Sequence, residues 1–201
     1  MSEFERWESR FSGTDYHFGT EPNAFLKSKA ALLKPGQTAL SVADGEGRNG
    51  VFVAQQGLDV LAMDFSPKAL AKSQALAKAR GVTIRTEQAD LDTYQWPTAA
   101  YDVVVAIFFQ FCAPPLRSRV FAGIKRALKP GGLLLMEGYR TEQLKYKTGG
   151  PSQVENLYTR ALLETEFADF ASIEIAEYDK EINEGPGHGG MSALIDLVGR
   201  K

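Results

Sequence analysis

A single cysteine, Cys112, in 201 residues excludes an intrachain disulfide, so a packed core must hold the fold. Histidine is almost as scarce: there are two, His17 and His188. With no cluster of histidine, cysteine and carboxylate at metal-ligand spacing, no catalytic metal is expected. An excess of one charge is also missing, because 23 lysines and arginines against 25 acids leave a net charge of -2. Without a broad positive field to gather phosphates, nucleic acid is not expected as a partner, and a small or neutral substrate fits better. Long apolar runs are absent too. VVVAIFF at 103–109 falls well short of the roughly 18 residues that span a bilayer, so no membrane partner is expected and the run reads as a buried strand. The opening MSEFERWESR has neither the apolar core nor the cleavage pattern of a secretory signal, and a cytoplasmic location is expected.

What is present is alternation. Hydrophobic residues make up 44% of the chain, enough for one substantial core. FERWESRF and PNAFLKSKAALL predict two short helices ahead of a buried strand at 38–43. A helix at 48–56 and a strand at 59–63 follow, and then Ser66-Pro67 supplies an N-cap with proline at the first helical position. Gly81 closes that helix. Further strands are predicted at 82–88 and 102–108, the second crowded with β-branched residues. In PLRSRVFAGIKRALKPGG, Leu116, Val120, Phe121, Ile124 and Leu128 recur at helical spacing, and Pro130-Gly131-Gly132 should stop the helix before the strand LLLMEGY. The alternation implies an α/β fold, an open and mostly parallel sheet with helices on both faces. After a helix around 157–167, FASIEIAEYDKEIN and MSALIDLVGR both favour strand. The link EGPGHGG between them is too short for a parallel crossover, so they should pair antiparallel.

The stretch VADGEGRNG joins the first strand to its helix and holds G-x-G-x-x-G at Gly45, Gly47 and Gly50. Glycines let a ligand approach the backbone, and the helix start offers unpaired N–H groups. Asp64, nineteen positions beyond Gly45 at the end of the next strand, is placed to accept both hydroxyls of a ribose. A tight turn without ligand, a dinucleotide site and an S-adenosylmethionine site all use such a loop. The antiparallel C-terminal pair and a further acid, Asp90, after the third strand favour the last.

ALSVADGEGRN, VLAMDFS, QADLD, YDVVVAIFFQF and LKPGGLLLMEGY together resemble class I S-adenosylmethionine-dependent methyltransferases over nearly the whole chain. YHFGTEPNAFL, EQLKYKTGGP and EGPGHGG are similar to a small bacterial branch near the tellurite-resistance methyltransferase type. The resemblance implies one methyltransferase domain over 1–201, with a helical lid or cap segment at 1–37 and an α/β core at 38–201. It implies a Rossmann-like sheet of seven strands with the C-terminal one antiparallel. It also implies S-adenosylmethionine as cofactor, held at the loop by Asp44, Gly45, Glu46, Gly47 and Asn49. Asp64 would bind the ribose, Phe65 would pack on adenine, Asp90 would accept the adenine amino group, and the Leu91 N–H would meet a ring nitrogen. Ile107 and Phe108 would line the methionine side. In the family's frame the loop begins at Ser41, with Ala43, Gly45 and Gly47 in its three positions, and Gly50 falls outside. Ser41 then stands where an acid is usual and Ala43 where glycine is usual. Asp44 is expected to compensate by attracting the methionyl ammonium.

Methyl transfer from a sulfonium needs chiefly approach and alignment, so no indispensable base is required. His17, His188 and Tyr139 are the candidates for proton handling, with structural roles as the alternative for each. Tyr16, Phe18 and Tyr139 are aromatics that could face a cation or simply pack in the core. Cys112 reads as a packed thiol. Three functions remain open: transfer of a methyl group to a small-molecule acceptor, binding of the cofactor without transfer, and a nicotinamide-dependent oxidoreductase. The last would need a catalytic tyrosine and lysine pair, and none is evident downstream of the loop.

Overall fold

A computed structural model describes residues 3–185 and 187–201, so Pro186 of EGPGHGG lies outside the described residues. Seven strands form one sheet in the order β3-β2-β1-β4-β5-β7-β6. In chain order they are β1 (Thr38–Ser41), β2 (Asp59–Asp64), β3 (Arg85–Gln88), β4 (Tyr101–Ile107), β5 (Leu128–Tyr139), β6 (Ser172–Asn183) and β7 (Gly189–Arg200). The first five run parallel, while β7 is antiparallel to both β5 and β6, as the short link between β6 and β7 requires.

The helices are α1 (Glu3–Arg10), α2 (Ala24–Ser28), α3 (Arg48–Gln55), α4 (Pro67–Ala79), α5 (Pro114–Ala127), α6 (Gln143–Tyr146) and α7 (Arg160–Glu166). They cover both faces because β4 is apolar on both. Val103 and Val105 point into a core with α2, α3 and α4, whereas Val104 and Ala106 point into a second core with α5 and α7. Helix α4 starts as its sequence dictates: Pro67 is its first residue, and the Ser66 hydroxyl accepts from the Ala69 N–H at 3.1 Å. Gly81 follows it with φ +70°. No helix among the described residues is long and apolar enough to cross a membrane.

The expected ends move in several places: β1 stops at Ser41 rather than 43, and the helix expected over PNAFLKSKAALL is Ala24–Ser28 followed by a 3-10 turn at Ala30–Leu32. Strand β3 is shorter than 82–88, and α7 is shorter than 157–167. Pro130-Gly131-Gly132 does not separate α5 from β5. Helix α5 already ends at Ala127, and the Pro-Gly-Gly lies inside β5 as an irregularity, with Tyr101 opposite Leu128 but Val103 opposite Leu133.

Beneath α2 lies a buried acidic network. Glu137 of β5 and Asp196 of β7 are paired in register, and the Tyr178 hydroxyl bridges them at 3.3 and 3.2 Å. The Asn23 amide donates to Glu137 and, at 3.3 Å, to Glu184. Burial raises the Glu137 carboxyl to about 8, with Asp196 and Glu184 adding to the rise, and burial raises Asp196 to about 6. These groups hold protons more tightly folded than unfolded, so their stabilisation is complete at low pH and is lost as pH rises. The ligand-free protein should therefore unfold at lower urea concentration at pH 8.5 than at pH 6.5, because His188, half protonated at pH 6.5 only in the unfolded chain, opposes the loss by no more than about 0.4 kcal/mol. An equal or higher midpoint at pH 8.5 would contradict this.

Candidate functional site

The carboxyl ends of β1, β2 and β4 open into a cleft of about 450 Å³. Such ends hold ligands in open α/β sheets because the connecting loops splay apart there. Asp64 ends β2 with both carboxylate oxygens anchored: Oδ2 accepts from the Gly45 N–H at 2.9 Å and Oδ1 from the Ser66 N–H at 3.0 Å. Burial raises its pKa, because these backbone donors do not fully replace water. A ligand bearing two hydroxyl donors supplies what this carboxylate lacks.

Asp44 is not a solvent-facing loop acid. It is 8% exposed, its Oδ1 accepts from the Ser41 hydroxyl at 2.6 Å, and both oxygens accept from the Gly50 N–H at 3.1 and 3.2 Å. Ser41, at the position where an acid is usual, thus holds the acid that stands three residues later. Burial pushes Asp44 up to about 7 despite these two hydrogen bonds. A cation in the cleft is the complement this carboxyl lacks. Gly50 returns to the site by this route, since a Cβ there would lie 2.5 Å from Asp44 Oδ2. Ala43 takes the left-handed conformation, φ +48°, in which glycine is more comfortable, at a cost of about 1–2 kcal/mol.

Gly45, Asn49, Phe65, Asp90, Leu91, Ile107 and Phe108 also line the cleft. Asn49 Oδ1 accepts from the Asn23 N–H at 2.9 Å, which ties the loop to α2. Phe65 meets Phe4 of α1 edge to face at 5.7 Å. Asp90 sits exposed at the rim and accepts from the Asp92 N–H. Glu46 and Gly47 lie elsewhere. Glu46 is buried and turned to the N-terminal segment, accepting from the His17 N–H and from Lys72 Nζ, each at 2.7 Å. Gly47, φ +93°, is the N-cap of α3 and packs on Ser73 of α4.

A second cavity, of about 420 Å³, adjoins the first and shares Trp7, Phe18, Phe108, Phe111 and His188 with it. His188 is 9% exposed, lies 4.6 Å from Phe18 and 4.4 Å from Phe108 between ring centroids, and places Nδ1 3.2 Å from the Tyr139 hydroxyl. Burial drives it down to about 3, with the Arg48 charge assisting, so it is neutral at physiological pH. Burial and the Glu137 charge raise the Tyr139 phenol. His17 lines neither cavity. Tyr16 is likewise outside, its hydroxyl donating to the Lys72 carbonyl. Cys112 is buried, its thiol pushed up to about 12, as a packed thiol should be.

The sequence reading missed Arg48 and the roof. Arg48 faces the cleft, 7% exposed, held 2.7 Å from Glu184, whose other oxygen accepts from the Ala24 N–H. Phe4, Trp7 and Phe11 line the cleft at i, i+3 and i+7, a helical stripe that was legible as a face though not as a lid.

A parallel Rossmann-like sheet with an antiparallel strand inserted before its last, a glycine loop after β1 and an acid at the end of β2 are the architecture of the class I S-adenosylmethionine-dependent methyltransferase fold. Residues 39–132 match the family model described as a methyltransferase domain. The ribosomal protein L11 methyltransferase of Thermus thermophilus is 30% identical over 126 residues, 63% of this chain and 47% of that protein. An S-adenosylmethionine-dependent methyltransferase from Methanosarcina mazei superposes with TM-score 0.70 at 17% identity, over 90% of this chain and 98% of that one. TehB from Haemophilus influenzae superposes with TM-score 0.69 at 16% identity, over 98% and 66% respectively. The chain spans less than half the length of the curated relatives it matches.

Proposed function

We propose that the protein transfers a methyl group from S-adenosylmethionine to a small-molecule acceptor, with residues 1–37 acting as a lid over the core at 38–201. The observation that carries this reading is the second cavity, which meets the cofactor cleft at Phe108 and His188 and is roofed by α1. Its volume suits a small molecule. Within the class, YHFGTEPNAFL, EQLKYKTGGP and EGPGHGG support a place near the tellurite-resistance type. The likeness to TehB does not discriminate, being equalled by that to the archaeal protein.

When bound, S-adenosylmethionine would supply an electrophilic methyl group and a neutral thioether as leaving group. The chain's own part is to bind and align. Asp64 would take the ribose hydroxyls, Asp44 the methionyl ammonium, and Arg48 is placed for the methionyl carboxylate. Phe65 and Leu91 would enclose the adenine, with Asp90 accepting its amino group. The aromatic walls at the junction exclude water and attract a sulfonium. His188 is too weakly basic to hold a proton, so it orients the acceptor by hydrogen bonding, and the acceptor's proton passes to water.

Calorimetry with S-adenosylhomocysteine and with NAD, followed by assay of S-adenosylhomocysteine formation over a panel of small acceptors, tests the proposal. Micromolar binding of the first and none of NAD is expected, with Asp64→Ala losing about 100-fold in affinity as two charge-assisted hydrogen bonds disappear. Binding without turnover on any acceptor would leave a cofactor-binding protein, and preference for NAD would leave an oxidoreductase.

A further inference from the structure

We infer that the second cavity takes an aromatic acid: a planar ring stacked among Trp7, Phe108 and Phe111, with an anionic group at Arg10 and a hydroxyl or amine donor at Asn156. This rests on the proposed methyl transfer and names the acceptor's class. Three observations carry it.

Most polar groups of the cavity are already engaged. The Gln110 amide donates to the Tyr139 carbonyl at 2.9 Å and to the Asn156 carbonyl at 3.3 Å, while its oxygen accepts from the Tyr139 N–H. The Tyr139 hydroxyl and His188 Nδ1 satisfy each other, which leaves the other ring nitrogen of His188 for the acceptor. Glu3 is taken by Arg6 and by Trp7 Nε1 at 2.8 Å, so these three leave no net demand.

Of the remaining polar groups, two bear on the ligand's chemistry. Asn156 is 7% exposed, lines the cavity, and its Oδ1 has no hydrogen-bond partner. An orphaned acceptor in a buried site costs about 1–3 kcal/mol, and only a donor removes that cost. Arg10 faces the same cavity, its guanidinium 4.5 Å from the Trp7 ring centroid, and among the described residues it pairs with no carboxylate. Arg10 is exposed, so it stands at the cavity mouth where an entering ligand meets it. An anion is its complement, and a planar one matches the guanidinium fork.

The remaining walls are aromatic. Trp7 and Phe111 meet at 6.5 Å between centroids, Phe111 is 37% exposed at the mouth, and Phe108 lies stacked at 4.7 Å on Tyr139. An aromatic left in water at a cavity mouth gains most from a ring that covers it. Donor, anion and ring together describe one ligand class.

The test is calorimetry on the whole chain saturated with S-adenosylhomocysteine, using 2-, 3- and 4-hydroxybenzoate, the three corresponding hydroxybenzamides, and benzoate as probes. At least one hydroxybenzoate should bind about tenfold more tightly than its amide at low salt and more tightly than benzoate. Arg10→Gln should erase the preference for the acid, and Asn156→Ala the preference for the hydroxyl, with affinity for S-adenosylhomocysteine unchanged in Arg10→Gln. Equal affinity for acid and amide, a preference that survives Arg10→Gln, or no binding of any probe to the loaded protein would overturn the inference. Failure of the native chain to bind S-adenosylhomocysteine would instead overturn the proposed function.

Discussion

Replacing Asp44 by asparagine is expected to weaken S-adenosylhomocysteine binding about 30-fold at pH 8, the equivalent of one buried charge-assisted hydrogen bond of about 2 kcal/mol. It should also flatten a pH dependence that the native chain displays. Burial holds the Asp44 carboxyl near 7, Ser41 and Gly50 pull it down, the neighbouring Asp64 raises it and Arg48 lowers it. Only the ionised carboxyl pairs with an ammonium. Native affinity should therefore rise about tenfold between pH 6 and pH 8, as the ionised fraction grows through a pKa of about 7, and binding should release protons. Calorimetry in buffers of different ionisation enthalpy measures both effects. Equal affinities for the native chain and the variant, or a flat native profile, would remove Asp44 from the cofactor site.

Gly47→Ala is expected to destabilise the fold by about 3 kcal/mol, which for a chain of this size lowers Tm by roughly 6–12 °C. Two costs add. Alanine at φ +93° is strained, and its Cβ would lie 2.7 Å from both Cα and Cβ of Ser73, so helix α4 itself would have to move. Gly45→Ala supplies the contrast. There φ is +58° and the nearest atom, Phe11 Cζ, is 3.8 Å away, so only the conformational cost of about 1 kcal/mol applies. Its added methyl projects toward the cleft, so cofactor affinity should suffer more than stability. Equal melting temperatures for the two variants would mean that Gly47 is not the packing residue that the contact with Ser73 makes it.

The contrast also marks what could be read from the sequence. Strands and helices repeat along the chain with their own periods and caps, so β1 to β4, the Ser66 cap and the antiparallel β7 followed from local pattern. Asp64 followed because a strand end fixes where its side chain emerges. Glu46 and Gly47 could not be placed this way, since their partners Lys72 and Ser73 come from the next helix and His17 from a segment 29 residues earlier. Gly50 was set aside because its importance depends on the inward turn of Asp44, which Ser41 fixes through a hydrogen bond absent from any motif. Pro130-Gly131-Gly132 carries the composition of a turn, yet the pairing of Leu128 with Tyr101 before it and the backbone hydrogen bonds of Gly131 and Gly132 with Lys201 keep it at the edge of the sheet.

Helix α1 supplies Phe4 to the cofactor cleft, Arg6 and Arg10 to the second cavity, and Glu3 and Trp7 to both, yet it buries none of its own residues. A helix held so lightly opens at small cost. Because one element roofs two chambers, the lid movement proposed above would make their traffic a single event: the swing that lets one product leave would expose the other, and the closure that dries one site would dry both. Turnover would then be timed by the opening of that one roof, with both ligands sharing one residence time.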